Sequence, residues 1–256
     1  MSEQEASGSR DYRHLPESEK ASVVRAIFDT VAPRYDLMND LMSGGVHRLW
    51  KAEMVASMKP RPGQRLLDVA GGTGDVALRA LPRLAPEAGV AIEGGAVVCD
   101  VNARMLEIGR ARALDRGLLF GLDWLAADAE RLPFADRSFD LYTIAFGLRN
   151  VTHVDAALAE ARRVLRPGGR FLCLEFTPEV APLLQPLYDL YSFYVVPLLG
   201  QIVAGDREAY TYLVESIRGF PRQGELARMI AAAGLEQVRY RNLTGGIAAL
   251  HSAWRL

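Results

Sequence analysis

The spacing of apolar positions changes near residue 65. Before it, apolar residues recur every three or four positions, the period of helices packed on one side. Segments from Ser18 to about Val31, from about Arg34 to Met42 and from Val46 to Met58 carry this pattern. After it, short apolar runs alternate with longer amphipathic stretches. Residues 65–70 read as a short buried strand, 96–100, 122–126, 141–146 and 170–176 as further strands, and 75–84, 102–116 and 154–165 as the helices between them. This alternation predicts parallel βαβ units in a doubly wound α/β sheet. The segment KPRPGQ (59–64), with two prolines and a glycine, separates the two regimes.

Residues 178–222 interrupt the rhythm with a long apolar stretch holding five of the nine tyrosines: Tyr188, Tyr191, Tyr194, Tyr210 and Tyr212. Leu183, Leu184, Leu187, Phe193, Val195 and Val196 place apolar character on more than one helical face. A stretch of this kind lines a tunnel for a lipid tail, rests on a membrane surface, or forms a buried dimer or lid interface. A helix over 224–233 and strands over 236–243 and 247–254 resume the alternation. The expected organisation is a disordered tail (1–17) and one domain (18–256). Within that domain fall an N-terminal helical lid (18–60), a cofactor-binding core (65–177), the apolar helical insertion (178–222) and a closing helix with two strands (223–256).

Composition narrows the function classes. Half of the 256 residues are hydrophobic and 24% are charged, ordinary values for a globular protein. The 30 Lys+Arg against 31 Asp+Glu leave a net charge of −1, with no basic excess to favour a nucleic-acid partner. Cys99 and Cys173 sit in separate apolar runs without metal-ligand spacing, so both are expected in the core and no metal site is expected. The first 20 residues lack the apolar stretch of a signal peptide. The run Leu187–Ala204 is broken by Asp189, Pro197, Gly200 and Gln201, short of a spanning helix. A cytoplasmic location is expected, with any membrane contact peripheral and at the inner face.

The chemistry concentrates in the turn after the first strand, Asp68-Val69-Ala70-Gly71-Gly72-Thr73-Gly74-Asp75. Its Gly72-x-Gly74-x-x-Ala77 pattern satisfies a dinucleotide fingerprint, and Asp100, with Val101 beside it, ends the second strand where a ribose-binding acid is expected. Charge argues against a dinucleotide, because a pyrophosphate on the loop would sit between Asp68 and Asp75. S-adenosylmethionine carries an ammonium and a sulfonium, which carboxylates attract. Asp100 suits the ribose diol and also suits a helix N-cap. Asp128-Ala129, after the third strand, suits an adenine amine or a simple turn.

Longer motifs are more specific than the glycines. The run Tyr35-Asp36-Leu37-Met38-Asn39-Asp40-Leu41-Met42-Ser43-Gly44-Gly45-Val46-His47-Arg48-Leu49-Trp50 and the run Ala145-Phe146-Gly147-Leu148-Arg149-Asn150-Val151-Thr152 resemble the signatures of the ubiquinone/menaquinone biosynthesis C-methyltransferase family. The likeness extends through LLDVAGGTGD, ERLPF and RVLRPGGRF to GGIAALHSAW, covering nearly everything from Phe28 onward. The resemblance implies a class I S-adenosylmethionine-dependent methyltransferase fold, Rossmann-like, with a seven-stranded, mostly parallel sheet and an antiparallel last strand. It implies methylation of a ring carbon on a polyprenylated benzoquinol, a demethylmenaquinol, or both. It also implies cofactor contacts at Thr73, Asp100, Asp128 and Ala129; Asp68, Gly71, Gly72, Gly74, Val101 and Ala145 complete the expected cofactor-binding set. Where such proteins commonly carry a serine, this chain has Ala145, so that hydroxyl contact is missing or supplied elsewhere. Arg166 for a lysine and Thr177 for a serine are further departures.

Methyl transfer to carbon needs an electron-rich ring held in line with the donor methyl. A quinol gains that character when a hydroxyl loses its proton, so the site should favour the phenolate. Arg149 is expected as the cation facing the phenolate, since a guanidinium is a poor base, with Asn150 orienting the ring or a water. Asp128 and His153 are the candidate proton acceptors, His153 being alternatively an exposed residue of a first helical turn. Tyr35 and Asn39, four apart, could close over the ring or merely cap and pack a lid. Beyond the quinol, a homodimer or a quinone-synthesis complex fits the resemblance equally. The rival readings are an NAD-dependent oxidoreductase, from the literal glycine pattern, and a non-enzymatic scaffold subunit of such a complex.

Overall fold

The computed structural model describes Val24, Ala26, Ile27, Thr30, Asp40, residues 43–84, residues 94–182, Gln185, Leu190, Tyr191 and residues 207–256. Tyr35, Asn39, the expected tail and nearly half of the apolar stretch 178–222, mainly 192–206, lie outside these residues. So does nearly all of the helix expected over 34–42.

Helix α1 (His47–Met58) precedes the sheet, and the KPRPGQ break follows it: Lys59 turns left-handed at φ 52°. Strand β1 (Arg65–Val69), α2 (Asp75–Leu84), β2 (Gly95–Asp100), α3 (Ala103–Asp115) and β3 (Leu122–Ala126) form the first half. Strand β4 (Phe139–Ala145), a short 3-10 turn (Leu148–Asn150), α4 (Val154–Val164) and β5 (Leu165–Phe176) form the second. Helices α5 (Arg207–Arg218) and α6 (Gln223–Ala232), then β6 (Glu236–Leu243) and β7 (Ala248–Arg255), complete it. The seven strands make one sheet in the order β3-β2-β1-β4-β5-β7-β6. β7 runs antiparallel to both neighbours, while β1–β5 pair in parallel. The doubly wound sheet with an antiparallel last strand is the expected class I architecture.

Alternation along the central strands sends successive side chains to opposite faces. Leu66, Val98, Leu172 and Leu174 pack under Trp50, Met54, Val76, Ala77, Leu213 and Ile217 from α1, α2 and α5. Leu67, Val97, Tyr142, Phe171 and both cysteines pack under Ala157, Leu158, Ala161, Leu226 and Ile230 from α4 and α6. Cys99 and Cys173 are buried thiols, as expected.

Two boundaries differ from expectation by more than one residue. β4 begins at Phe139 rather than Leu141, because Asp140 is held in the sheet: its Oδ2 accepts the Arg65 N–H at 2.8 Å and its carboxylate receives Arg166 at 3.0 Å. β5 begins at Leu165, before the RPGG turn, because Leu165 already pairs with Phe139.

Candidate active site

At their carboxyl ends β1 and β4 both turn sharply. Ala70 (φ 48°) and Phe146 (φ 58°) adopt left-handed backbone conformations unfavourable for residues with a Cβ. Gly147 follows, and a Cβ there would lie 2.4 Å from the Ala70 Cβ. The two turns can therefore meet only because residue 147 is glycine. Arg149 fixes the second turn from below, donating from Nη1 to the Phe146 carbonyl at 2.7 Å and to Glu175 Oε1 at 2.5 Å.

Between these turns opens a cleft with an empty volume of ≈ 990 Å³ out to its mouth. Ala70, Gly72, Phe146 and Gly147 are among the residues of its floor and walls. Asp100, Val101, Asn102 and Met105 come from β2 and the start of α3, and Ala127, Asp128, Ala129 and Glu130 follow β3. Asn150, Val151 and Thr152 follow β4, and Val24 reaches in from the N-terminal segment. This is the topological switch point of an open α/β sheet, where ligands bind.

Asp100 Oδ2 accepts the Gly72 N–H at 2.9 Å and Oδ1 accepts the Asn102 N–H at 2.8 Å. Burial raises its pKa, against the pull of those backbone donors. It is not a helix cap: Asn102 caps α3, accepting the Met105 N–H at 3.1 Å. A carboxylate has about four acceptor sites, and with backbone donors at Gly72, Val101 and Asn102, Asp100 keeps acceptor capacity toward the cleft. Gly72 keeps this floor open, since a Cβ would stand 3.0 Å from Met105 Cε.

Asp128 and Glu130 stand at the rim. Asp128 is exposed and its Oδ1 accepts the Glu130 N–H at 2.9 Å. Glu130 takes the N–H groups of Thr152 and His153 at 2.9 Å each and meets His153 Nδ1 at 2.6 Å. Its partial burial acts to raise its pKa, but those bonds outweigh that and hold the carboxyl below its usual range. Asn150 lines the cleft with its Oδ1 accepting the Tyr212 hydroxyl at 3.0 Å.

Several expected residues lie elsewhere. The Arg149 guanidinium does not line the cleft but is buried against Glu175, over the Phe176 ring at 5.6 Å. It is thus no cation facing a phenolate, because a buried carboxylate 26 residues away claims it. Burial pushes the Glu175 pKa up even beside that guanidinium. The His153 side chain is 52% exposed on Glu130 and does not reach the cleft lining. Asp68 is buried in β1 with its oxygens held by the Thr143 hydroxyl at 2.7 Å and the Ala77 N–H at 3.2 Å. Asp75 and Thr73 line a second, polar cleft, where Asp75 pairs with Lys51 at 3.0 Å and Arg79 at 2.9 Å. The carboxylates that repel a pyrophosphate are therefore Asp100, Asp128 and Glu130, not Asp68 and Asp75. Gly71 and Gly74 shape the loop by close packing on Val98 and Trp124. Ala145 packs against the core; the nearby hydroxyl of Thr143, on the same strand face, serves Asp68.

Met105, Phe146, Gly147, Glu130 and Tyr212 escaped the sequence reading. Phe146 and Gly147 stood inside a quoted motif, yet nothing in a linear pattern reports a left-handed residue. Among the described residues no cluster of His, Cys, Asp and Glu could hold a metal ion.

The chain matches the model of the ubiE/COQ5 methyltransferase family over residues 16–255. A Dinoroseobacter shibae protein named ubiquinone/menaquinone biosynthesis C-methyltransferase UbiE is 57% identical over 245 residues, 96% of this chain and 95% of that protein. A Brucella abortus protein of the same name is 54% identical over 247 residues, 96% and 90% of the two chains. Among solved structures, a SAM-dependent methyltransferase from Aquifex aeolicus superposes with a TM-score of 0.58 at 14% identity, covering 95% of this chain and all of that one. The cyclase SpnF gives 0.64 at 17% identity, covering 92% and 96%. At such identities the likeness carries the fold, and a cyclase among the neighbours illustrates that the fold alone does not fix the reaction.

Proposed function

Because the chain belongs to the ubiE/COQ5 methyltransferase family, we propose that it methylates a ring carbon of a polyprenylated quinol, a benzoquinol, a demethylmenaquinol or both, in ubiquinone or menaquinone biosynthesis. It is a methyltransferase, and S-adenosylmethionine is its methyl donor. The observation that carries the substrate reading is the near full-length identity of 54–57% to proteins named for that reaction.

The cleft fits the donor. Asp100 offers its remaining acceptor capacity to the ribose hydroxyls, and Val101, Met105, Ala127 and Ala129 supply apolar walls for the base. The titratable residues among its lining are Asp100, Asp128 and Glu130, all acidic, which favours a cationic ligand over a pyrophosphate. The oxidoreductase reading loses its support on this point. S-adenosylmethionine supplies an electrophilic methyl on positive sulfur. The chain's own residues then have three tasks: to seat the ring, to steady a phenolate and to take its proton.

Phe146, Val151 and Val24, which line the cleft, give the ring apolar contact. Asn150, its Oδ1 already engaged by Tyr212, directs its amide N–H groups to the ring oxygen. Asp128 is the proton acceptor: it is exposed at the rim with acceptor sites left over, whereas Glu130 is occupied by Thr152 and His153. Arg149 and Glu175 act from outside the cleft by holding Phe146. The lipid tail lies toward the apolar stretch 178–222, and membrane contact, where it occurs, is peripheral.

The test is quinone extraction and mass analysis from a strain lacking the gene, complemented by wild type or by Asp100→Ala. A precursor one methyl short, cleared by wild type and not by the variant, is the expected result, and its ring names the substrate. An unchanged quinone pool in the null strain, or full rescue by Asp100→Ala, would sink the reading.

A further inference from the structure

Tyr212 belongs to the tyrosine-rich stretch that the sequence marks as an insertion, and nothing in the motifs gives it a role. It lies on α5, which packs against the 3-10 turn Leu148–Asn150. Its side chain is buried at 3% exposure, and its hydroxyl donates to Asn150 Oδ1 at 3.0 Å. It does not line the cleft, whereas Asn150 does. We propose that Tyr212 is a positioning residue for methyl transfer, which locks the Asn150 carboxamide so that its N–H groups face the oxygen of the acceptor ring.

A carboxamide has one acceptor end and one donor end, and the two are nearly isosteric. Left alone, Asn150 could turn either end to the cleft. An oxygen aimed at a phenolate would repel it, and an N–H would stabilise it. A hydroxyl fixed on Oδ1 selects the second state before the substrate arrives. Tyr212 is suited to that task because burial pushes its pKa up to about 12, so it keeps its proton and remains a donor across the working pH range. Holding the hydroxyl on a helix, with its ring packed in the core, fixes the donor more tightly than a surface side chain could.

The inference rests on the quinol methyltransferase reading, and one set of assays separates the two. Wild type, Tyr212→Phe, Asn150→Ala and the double variant are compared for S-adenosylhomocysteine affinity, and for kcat and KM with a short-tailed demethylated quinol. Asn150→Asp is the fifth protein: it keeps an acceptor for Tyr212 but has no N–H to give. We expect Tyr212→Phe to lower kcat about tenfold, the scale of one positioning hydrogen bond, with nucleotide affinity unchanged. It should cost nothing further in the Asn150→Ala background. Asn150→Asp should be as slow as Asn150→Ala, and this arm stands even if Tyr212→Phe fails to fold. Additive losses, an unchanged kcat in Tyr212→Phe, parallel loss of nucleotide affinity, or an active Asn150→Asp would each overturn the inference while leaving the reaction intact. A wild-type protein that binds the nucleotide yet methylates no quinol would overturn the reading and the inference together.

Discussion

Arg149 illustrates how a residue's chemistry misleads when its partner is distant. A guanidinium next to a strand end invites a catalytic role, yet Glu175, on the neighbouring strand, captures it in an interior where neither charge meets water. Breaking such a pair leaves an uncompensated buried charge and costs about 3–5 kcal/mol. Arg149→Met should therefore destabilise the protein by that amount in denaturant unfolding, and adding Glu175→Leu should restore most of it. Retention of full stability by the single variant would mean the pair is not closed in solution. Two other buried groups carry opposing pH dependences. Burial, with help from Lys51, lowers the His47 pKa to about 4 from 6.5, so between those values the unfolded chain holds more proton and stability rises with pH. Burial raises Asp68 to about 7 from 3.8, so over much the same window the native state holds more proton and stability falls with rising pH. Each contribution is about 3–4 kcal/mol, and they largely offset. Asp68→Asn removes one, and the variant should gain stability steadily from pH 4 to pH 6.5 where wild type stays nearly level, as thermal melts across that range would reveal.

At the scale of elements, the core was legible because buried parallel strands are short apolar runs and the helices between them keep one apolar stripe. RLLDV and GAVVCD need no partner to be recognised. β4 was harder to bound, since its second residue is the charged Asp140, whose reasons for entering the sheet are Arg65 and Arg166. The site was half legible: Asp100, Asp128, Ala129 and Asn150 reach the cleft, all placed by strand ends that a linear reading can count. Gly147 was not, because its necessity comes from Ala70, a residue on another strand's turn. Gly147→Ala forces that contact apart, and should cost about 1–3 kcal/mol as overpacking does and abolish nucleotide binding by calorimetry. Asn102→Ala removes the cap of α3 and should cost about 1 kcal/mol. Because Asn102 and Met105 both line the cleft, it should also weaken nucleotide binding, which a purely peripheral helix end would not do.

For the molecule as a whole, no helix among the described residues is long and apolar enough to cross a membrane. The two halves of the sheet share the cleft: residues after β1, β2 and β3 line it from one half, and those after β4 from the other. The last strand ties the second half together. Arg255 Nη1 donates to the carbonyls of Arg162, Arg163 and Leu165 at 2.7, 2.8 and 2.6 Å, closing the end of α4. During synthesis β7 emerges after β6, yet it sits between β6 and β5. Until its final residues have left the ribosome, the edge of β5 stays unpaired and β6 has no strand to join. The nascent chain thus carries a bare, strongly apolar sheet edge until β7 emerges. A ribosome stalled just short of Ala248 should hold a protease-sensitive chain prone to aggregation, and release of eight more residues should let it close.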